Sequence, residues 1–354
     1  DRFKVAIFGA GNVGSALAAY LASGDDFAVE LIDPSEQALD RVRALNLPVA
    51  VHHLRHDEQA TMLLQGADVV VGACPQRALA AVAKAAAISG THFLDFSPPD
   101  AAVKRELEPL SLRRVVLNGC GVSPGLVENV TNSLIVRAAP VSDLTIRVGS
   151  VPRYPTNRLG YGQIWDIDGL IDEYTRSCEA LRDGAIAEIA PLEGKEHVVL
   201  DGVGYEAFTT SRGLQDLEPF RRSGLKNATF KTLRYPGHLD YIRFLLDDLG
   251  LKTRRDMLRS LLLNGLPMID DDLLVMFITA VGERGARKTE ASLFLPNAAL
   301  GPFNAITSVA AGYAAELLML LRQGELGTHG FVAHHALPTR TLLQGRCLAP
   351  LLLA

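Results

Sequence analysis

The chain has 354 residues, more than one hydrophobic core usually spans, and its 48% of hydrophobic residues is enough for a core in each of two domains. Its formal net charge of -5 provides no basic field for a polyanion, so a nucleic acid is not an expected partner. The four cysteines lie far apart without a CxxC pair, which argues against a disulfide framework and against a cysteine-based zinc site.

The first third of the chain alternates strand-like and helix-like segments. Short apolar runs predict strands, and longer runs with apolar residues at helical spacing predict helices. The predicted strands are 4–8, 28–32, 68–72, 92–95 and 114–117, and the predicted helices are 12–22, 57–65, 77–89 and 101–110. This alternation predicts a parallel, doubly wound α/β sheet of the Rossmann type.

The pattern changes after residue 121. A helix is predicted to start near Gly125, and residues 143–148 alternate polar and apolar side chains as a half-exposed strand does. Residues 273–281 and 287–295 flank a Gly-Glu-Arg-Gly turn, which suggests a hairpin in a mostly antiparallel sheet. Residues 305–321 predict a long, alanine-rich apolar helix that returns to the first domain.

Three segments are therefore expected. Residues 1–124 form the Rossmann domain, residues 125–300 form an α+β domain with a mixed sheet, and residues 301–354 form a helical C-terminal segment that packs on the Rossmann domain.

The clearest functional motif is the turn GAGNVG at residues 9–14, between the first predicted strand and the first predicted helix. That context is the one a GxGxxG dinucleotide motif requires. Gly9 permits the tight turn, Gly11 lets the backbone approach a pyrophosphate, and Gly14 allows close helix–strand packing. The alternative is a glycine turn that binds no ligand. We favour binding of a dinucleotide phosphate at the helix N-terminus, by Gly9, Gly11, Asn12, Val13 and Gly14.

Asp33 ends the second predicted strand about 20 residues beyond the glycines. A carboxylate at this position accepts hydrogen bonds from the adenosine ribose hydroxyls and repels a 2′-phosphate, so we expect NAD rather than NADP. Asp33 also begins an Asp-Pro-Ser turn and could cap the next helix, and the two roles are compatible. Arg41 and Arg43 lie on that helix, where they could face solvent, so they weaken the preference for NAD only slightly.

The segment GACPQ at residues 72–76 follows a predicted strand, at the carboxyl edge of the sheet where open α/β folds bind ligands. We expect Ala73, Cys74 and Pro75 to lie along the cofactor. Cys74 could be read as a nucleophile, but no neighbouring base is evident, and a packing role is favoured.

Four further segments carry a family resemblance: GTHFLD at 90–95, GVSPG at 121–125, GYGQIW at 160–165 and TLRYPGH at 232–238. With the glycine turn, they make the sequence resemble the saccharopine dehydrogenase-like oxidoreductases, and among these most closely the lysine 6-dehydrogenases, over nearly the whole chain. Ser123 stands where saccharopine-forming members tend to carry an aspartate, which disfavours saccharopine itself as the substrate.

The resemblance implies an enzyme that uses NAD(P) to oxidise a carbon–nitrogen bond of an amino acid, or to reduce the matching imine. It implies that the mixed-sheet domain binds a small amino-acid substrate and also dimerises, so a homodimer or a larger homo-oligomer is expected. Gly121 and Pro124 are then expected to shape the backbone beside the nicotinamide.

Oxidation of an amine needs a group that handles the amine proton and a fixed orientation of the substrate. Arg234 is our candidate for the substrate carboxylate, because a guanidinium binds a carboxylate bidentately; the alternative is a structural ion pair. His238 could accept the proton, since its charge changes near neutral pH, although a lone histidine is often structural. Asp95 could bind the substrate ammonium or relay a proton, or could simply start a turn.

Other side chains complete the expected substrate pocket. Tyr161 and Trp165 could form its wall, although aromatic residues are also ordinary core residues. Arg158 and the hydroxyl-rich loop at Thr210 add polar groups, and Arg158 or Arg212 could replace Arg234 as the ligand of the carboxylate.

No H-E-x-x-H helix or clustered acidic loop appears, so no metal is expected, and the His334-His335 pair is expected at the surface. No segment reaches the roughly 18 uncharged apolar residues that a membrane span needs, and the N-terminus resembles a strand rather than a leader. We therefore expect a cytoplasmic protein without a membrane partner.

The leading hypothesis is an NAD-dependent dehydrogenase that deaminates the 6-amino group of lysine or of a similar diamino acid. The first alternative is a saccharopine-type or other imine-forming reductase that joins an amine and a carbonyl compound. The second is a redox sensor that binds a dinucleotide and catalyses nothing. In a sensor, Arg234, His238 and Asp95 would be scattered.

Overall fold

The computed structural model describes residues 2–55 and 59–353 and divides the chain into two compact units. Unit 1 comprises residues 1–126, 297–303 and 307–350, and unit 2 comprises residues 127–296, 304–306 and 351–354. The chain thus leaves unit 1 after residue 126 and returns to it in its C-terminal part.

Within the described ranges, the strands are β1 (Phe3–Phe8), β2 (Phe27–Asp33), β3 (Ala50–His53), β4 (Val69–Gly72), β5 (His92–Asp95), β6 (Val115–Leu117), β7 (Asp143–Pro152), β8 (Cys178–Arg182), β9 (Ala185–Ile189), β10 (Glu196–Leu200), β11 (Val203–Thr209), β12 (Asn227–Arg234), β13 (Asp272–Val281), β14 (Arg287–Phe294) and β15 (Gly330–Phe331). The α-helices are α1 (Asn12–Ala22), α2 (Glu36–Ala44), α3 (Gln59–Leu63), α4 (Gln76–Ser89), α5 (Ala101–Ser111), α6 (Leu126–Ala138), α7 (Ile167–Thr175), α8 (Glu218–Arg222), α9 (His238–Arg243), α10 (Arg255–Gly265), α11 (Ala305–Arg322) and α12 (Thr339–Leu343).

The sheet of unit 1 is parallel throughout its described strands, in the order β15-β6-β5-β4-β1-β2-β3. The strands β4 and β6 and the last four residues of β1 are buried, as expected for a parallel sheet covered by helices on both faces. The strand order reverses between β1 and β4, which is the switch point at which doubly wound sheets bind their ligands. The predicted Rossmann fold is confirmed.

Every predicted strand and helix of unit 1 is present within about two residues of its predicted limits, apart from the helix at 57–65. Only Gln59–Leu63 of that helix is observed, and residues 57 and 58 lie outside the described residues. Two strands had no counterpart in the prediction. Strand β3 is short and partly exposed, and β15 has two residues, so neither carries a periodic apolar pattern.

Side-chain caps and a left-handed glycine set several helix limits. Asp100 accepts a hydrogen bond from the amide of Val103 at 2.9 Å and begins α5. Asp166 caps α7 in the same way, through the amide of Gly169 at 2.8 Å. Gly90 has a φ of +67° and ends α4, since a left-handed residue terminates a helix at low cost only when it lacks a Cβ.

The return of the C-terminal helix to unit 1 is also confirmed. In α11, Ser308 lies beside the Tyr20 side chain of α1. Helix α11 has 18 residues and a mean hydropathy of 1.3, long and apolar enough to cross a membrane by those two measures, but 83% of it is buried. That burial is typical of a core helix of a globular protein.

Unit 2 contains an eight-stranded mixed sheet in its described residues. The path runs β10-β11-β12-β7-β13-β14, with β8 paired to both β12 and β9. Only the pair β12·β7 is parallel within this part of the chain, so the expectation of a mostly antiparallel sheet is confirmed. The predicted hairpin is β13 and β14, which pair from Leu274 opposite Phe294 to Val281 opposite Arg287.

One hydrophobic core of unit 2 lies between helices and loops beside this sheet. Its buried members include Tyr161, Tyr174, Phe208, Leu239 and Leu262, contributed by a loop, by α7, by β11, by α9 and by α10. Helix α7 enters this core through one face, because its apolar residues recur at helical spacing. Tyr161, which the sequence predicted to line a substrate pocket, is therefore a member of this core.

Candidate functional site

The glycine turn of unit 1 closes β1 onto α1 as the motif predicts. Gly9 has a φ of +117°, and a Cβ on it would lie 2.0 Å from the carbonyl oxygen of Ala73. A Cβ on Gly14 would lie 1.9 Å from the carbonyl oxygen of Gly9. Real Cβ atoms do not approach backbone oxygen this closely, so both positions require glycine.

Gly11 serves a different purpose from the other two glycines. It is exposed, and no atom would lie within 4 Å of a Cβ built on it. It is the N-cap residue of α1 and has no side chain to bond the first amides of the helix. The N–H groups at this helix end, where Asn12 and Val13 lie, are therefore available to an anionic ligand.

Asp33 is joined directly to the glycine turn. Its Oδ2 accepts a hydrogen bond from the amide of Ala10 at 2.7 Å, and its Oδ1 accepts one from the amide of Ser35 at 2.7 Å. Ser35 caps α2 by accepting from the amide of Ala38 at 3.2 Å, so Asp33 makes the turn and Ser35 makes the cap. A carboxylate has about four lone-pair positions, which leaves acceptors on Asp33 for ribose hydroxyls.

The segment 72–76 lies against the same turn. The amide of Ala73 donates to the carbonyl of Phe8 at 2.8 Å, and the carbonyl of Ala73 is the one that Gly9 approaches. Pro75 is the N-cap residue of α4. Cys74 is half-buried, and its burial, followed by the negative charge of Asp95, raises the pKa of its thiol to about 11. A thiol that stays protonated near neutral pH is a poor nucleophile.

Asp95 is fully buried in unit 1. Its Oδ2 accepts from the side-chain amide of Asn118 at 2.8 Å, and its Oδ1 accepts from the backbone amide of Gly119 at 2.8 Å. Its carbonyl accepts from the amide of Cys120 at 2.7 Å. Burial raises the pKa of this carboxyl to about 7, against the effect of these hydrogen bonds. Asp95 thus holds the turn that leads into the GVSPG segment.

The GVSPG segment forms a tight loop before α6. Gly121 and Gly125 pair in an isolated bridge, and the amide of Leu126 donates to the carbonyl of Gly121 at 2.9 Å. The Ser123-Pro124 peptide bond is cis. Gly125 has a φ of +120°, and a Cβ on it would lie 2.4 Å from the carbonyl oxygen of Gly121. The loop therefore requires glycine at position 125.

The expected surface position of His334 is wrong. Only 5% of His334 is exposed, because its Nε2 bonds to the carbonyl oxygen of Asn118 at 2.7 Å and its Nδ1 to the hydroxyl of Tyr313 at 2.8 Å. Burial lowers the pKa of this imidazole, which favours the neutral form. A C-terminal residue thus supports the same turn as Asp95.

These observations fit a dinucleotide. The open position at Gly11 leaves space that a Cβ would take, the helix end presents amides, and Asp33 presents a carboxylate beside them. Among residues 2–55 and 59–353, no group of three or more His, Cys, Asp or Glu side chains is arranged to hold a metal ion.

The second group of predicted site residues lies in unit 2, around Arg234 at the end of β12. Only 3% of Arg234 is exposed. Its Nε donates to the hydroxyl of Tyr174 at 3.0 Å, and its Nη1 donates to the carbonyl of Leu233 at 2.9 Å. Its Nη2 lies 3.8 Å from Oε2 of Glu173, and its guanidinium carbon lies 4.5 Å from the ring centroid of Tyr161. The guanidinium is therefore fixed in position.

His238 meets Arg234 through a shared partner. The Nε2 of His238 bonds to the hydroxyl of Tyr174 at 2.9 Å, and its Nδ1 bonds to the carbonyl oxygen of Leu159 at 2.9 Å. Its ring stacks on Phe208, with 6.3 Å between ring centroids. Burial, followed by the charge of Arg234, lowers the pKa of His238 to about 3. His238 is thus a neutral side chain with both ring nitrogens engaged.

Tyr161 and Trp165 form one side of this cluster. The indole N–H of Trp165 donates to the hydroxyl of Tyr161 at 3.0 Å, and the ring of Tyr161 stands edge-on to His238 at 5.3 Å. Tyr161 is buried, whereas Trp165 is half-buried beside Gly169. Tyr161 is therefore a core residue, and Trp165 packs against the same core.

The structure does not bring every predicted substrate residue to Arg234. Thr210 is buried and shares a hydrogen bond of 2.6 Å with the hydroxyl of Thr232. Arg158 is exposed and makes no hydrogen bond or ion pair within the described part of the chain. Arg212 forms an ion pair of 3.0 Å with Asp172.

Sequence reasoning missed Glu173 and Tyr174, both on α7. Tyr174 joins Arg234 to His238, and Glu173 is the acidic neighbour of the guanidinium. Burial raises the pKa of the Glu173 carboxyl to about 7, although the charges of Arg234 and Arg212 lower it. A detectable clue was present, since Glu173 follows Leu170 by three positions and so adjoins the buried face of the helix.

The fold and the glycine turn define an α/β protein that binds a dinucleotide. Residues 5–117 match the family described as "Saccharopine dehydrogenase NADP binding domain", and residues 121–345 match the one described as "Saccharopine dehydrogenase C-terminal domain". The chain therefore belongs to the saccharopine dehydrogenase family, as an NAD(P)-binding oxidoreductase.

Two solved structures show the same fold. The saccharopine dehydrogenase (L-Glu forming) of Saccharomyces cerevisiae is 17% identical, with 94% of each chain covered and a TM-score of 0.77. A probable dehydrogenase from Thermotoga maritima is 12% identical, with 94% of this chain and 91% of the other covered and a TM-score of 0.50. At these identities the likeness concerns the fold.

Proposed function

We propose that this protein is an NAD-dependent dehydrogenase that oxidises the carbon–nitrogen bond of an amino acid, at the 6-amino group of lysine or the side-chain amine of a similar diamino acid. The observation that carries the proposal is the buried, fixed guanidinium of Arg234, which suits the carboxylate that every amino-acid substrate has.

The free donors of Arg234 support this assignment. A guanidinium has five N–H donors, and the hydrogen bonds to Tyr174 and Leu233 use two of them. The 3.8 Å separation from Glu173 is an ion pair but too long for a hydrogen bond. Donors on the outer nitrogens therefore remain for a ligand carboxylate, and the ring of Tyr161 keeps the guanidinium from turning away.

The residues of unit 1 would hold the cofactor. When bound, the oxidised nicotinamide accepts a hydride from the carbon that bears the amine. We assign the pyrophosphate to the open backbone at Gly11 and the amides of α1, and the adenosine ribose to Asp33. The preference for NAD follows from Asp33, since its carboxylate would repel a 2′-phosphate.

We assign positioning roles to Asp95 and His238, the two residues expected to handle protons. Asp95 is fully buried, and each of its carboxyl oxygens accepts a hydrogen bond from the turn at Asn118 and Gly119. His238 spends both ring nitrogens on Tyr174 and Leu159 and thereby fixes the hydroxyl that Arg234 also contacts. Asp95 would therefore act by fixing the turn at Asn118 and Gly119, and His238 by fixing the hydroxyl of Tyr174.

The test is to incubate the purified protein with NAD or NADP and a panel of lysine, ornithine, saccharopine and norleucine, following the absorbance of the reduced cofactor. We expect reduction with a diamino acid, faster with NAD than with NADP, and none with norleucine, which lacks the side-chain amine. If neither cofactor is reduced with any of the four compounds, the proposal is contradicted. Consumption of reduced cofactor only when an amine and a keto acid are supplied together would instead indicate the imine-forming reductase.

A further inference from the structure

Glu173 has an unusual environment for a carboxylate. Its side chain is only 19% exposed, yet among the described residues no hydrogen-bond donor reaches either of its carboxyl oxygens. The carboxylate of the adjacent residue Asp172, by contrast, forms three ion pairs, at 3.0 Å to Arg176, 3.0 Å to Arg212 and 2.8 Å to Arg255. The same turn of α7 therefore presents one saturated carboxylate and one with open acceptor positions.

Partial burial removes some of the hydration of the Glu173 carboxylate, and no hydrogen-bond donor among the described residues replaces it. Arg234 compensates part of that loss, but at 3.8 Å it makes no hydrogen bond to Glu173. Because Arg234 is fixed by Tyr174 and Leu233, it cannot move closer without breaking those bonds. The open acceptors of Glu173 suit a donor that arrives with a ligand, and an ammonium group supplies three N–H donors and a complementary charge.

We infer that Glu173 binds the reacting ammonium of the substrate and takes one proton from it. This inference rests on the proposed function and adds to it the residue that prepares the amine. The nitrogen of an alkylammonium has no lone pair, so it must lose a proton before the neighbouring carbon can release hydride.

In this step one N–H bond of the ammonium breaks and one O–H bond forms on Glu173, which leaves a neutral amine beside a neutral carboxyl. The neutral amine can then lose hydride from its carbon and become an iminium, a step for which a bound oxidised nicotinamide would supply the acceptor. Water hydrolyses the iminium to an aldehyde and an ammonium ion. His238 is not available for the proton, since both of its ring nitrogens are engaged.

Binding experiments test this assignment without any turnover. Trp165 is the only tryptophan of the chain and bonds to Tyr161 in the same cluster, so its fluorescence reports ligand binding there. Lysine and norleucine share the amino-acid group, and only lysine carries the side-chain ammonium. We expect Glu173→Gln to weaken lysine binding by about tenfold to a hundredfold, as for a lost hydrogen bond to a charged group, and to leave norleucine binding unchanged. The matched control is Glu188→Gln, because Glu188 is exposed on β9.

The pH dependence gives a second readout, on the wild-type protein. The charged and titratable groups around Glu173 are Arg234 on β12, Arg212 after β11, Tyr161 in its loop, Tyr174 on the same helix and Cys178 on β8. Because burial raises the pKa of Glu173 to about 7, lysine affinity should fall as pH drops below 7, whereas norleucine affinity should not. This readout remains valid if Glu173→Gln does not fold, as circular dichroism would show.

Each outcome decides the assignment. Equal lysine affinity in the wild type and in folded Glu173→Gln would overturn it, and so would a wild type that fails to prefer lysine over norleucine at pH 8. Loss of lysine binding in Glu173→Gln, with norleucine binding retained there and lysine binding unchanged in Glu188→Gln, would support it. An equal loss of lysine and norleucine binding would overturn it, because norleucine has no side-chain ammonium. If this pattern appears but no cofactor is reduced, the proposed dehydrogenation is wrong and the ammonium site stands. Where turnover is observed, Glu173→Gln should also lose the acid limb of kcat/KM near pH 7.

Discussion

The two glycines Gly14 and Gly11 should respond oppositely to the same substitution by alanine. In Gly14→Ala the new Cβ would lie 1.9 Å from the carbonyl oxygen of Gly9, and it must move by about 1.1 Å to reach even 3.0 Å. The obstacle is backbone, so we take about 3 kcal/mol, the upper end of the usual cost of overpacking. The higher helix propensity of alanine returns roughly 1 kcal/mol. We therefore expect a net loss of about 2 kcal/mol in the free energy of unfolding, or roughly 4 to 8 °C in Tm.

In Gly11→Ala the new methyl group meets no atom within 4 Å, and the φ of -72° suits any residue. The poorer N-cap should cost less than about 1 kcal/mol. The methyl group would, however, occupy the space through which a pyrophosphate approaches the backbone. We expect near-normal unfolding and a loss of dinucleotide affinity of about tenfold or more.

Urea unfolding without dinucleotide and calorimetric titration with NAD separate the two effects. Unfolding of Gly14→Ala at the wild-type urea concentration would show that the close approach to Gly9 is absent. Binding of NAD to Gly11→Ala as tightly as to the wild type would show that the pyrophosphate does not approach the backbone at Gly11.

Three further predictions concern single charged or titratable groups. Arg234→Lys keeps the charge but loses the planar donor set, so the KM for the amino acid should rise at least tenfold while NAD affinity, measured by titration, stays unchanged; equal KM values would exclude Arg234 from carboxylate binding. Asp33→Ser should raise the Kd for NAD and bring it closer to the Kd for NADP, so that the preference for NAD decreases. The control is Asp40→Ser, on the exposed side of α2, and an unchanged ratio of the two Kd values in Asp33→Ser would contradict the assignment of the ribose to Asp33. Folding lowers the pKa of His238 from 6.5 to about 3, so between these pH values the unfolded chain binds a proton that the folded chain does not. This group alone should therefore lower the free energy of unfolding by up to about 1.4 kcal/mol for each unit by which the pH decreases. Urea unfolding at several pH values checks this, because the free energy of unfolding of His238→Gln should depend less steeply on pH than that of the wild type.

The doubly wound sheet could be predicted from the sequence because its determinants are local. Each strand of unit 1 is a short apolar run, each helix has its own periodicity, and the glycine turn at residues 9–14 lies between adjacent elements. Asp33 could be placed for the same reason, since it follows the turn by one helix and one strand.

Tertiary structure decided which side chains meet beyond these adjacent elements. Arg234 and His238 could be chosen from one motif, but their common partner Tyr174 lies 60 residues from one and 64 from the other. Glu173 carries no motif, and its open carboxylate is evident only when Arg234 and its neighbours are in place. The burial of His334 likewise depends on Asn118, 216 residues away.

The physical reason is that secondary-structure patterns act between neighbouring residues, whereas packing brings together residues that are distant in the sequence. The sequence by itself determined the dinucleotide-binding fold, because strand and helix periodicity and the glycine requirement act over a few residues. Hydrogen-bond partners and protonation states depend on burial by distant segments, and burial has no local signature. The glycine turn could therefore be assigned from the sequence, whereas the neutral His238, the buried Asp95 and the open acceptor positions of Glu173 became evident only in the folded chain.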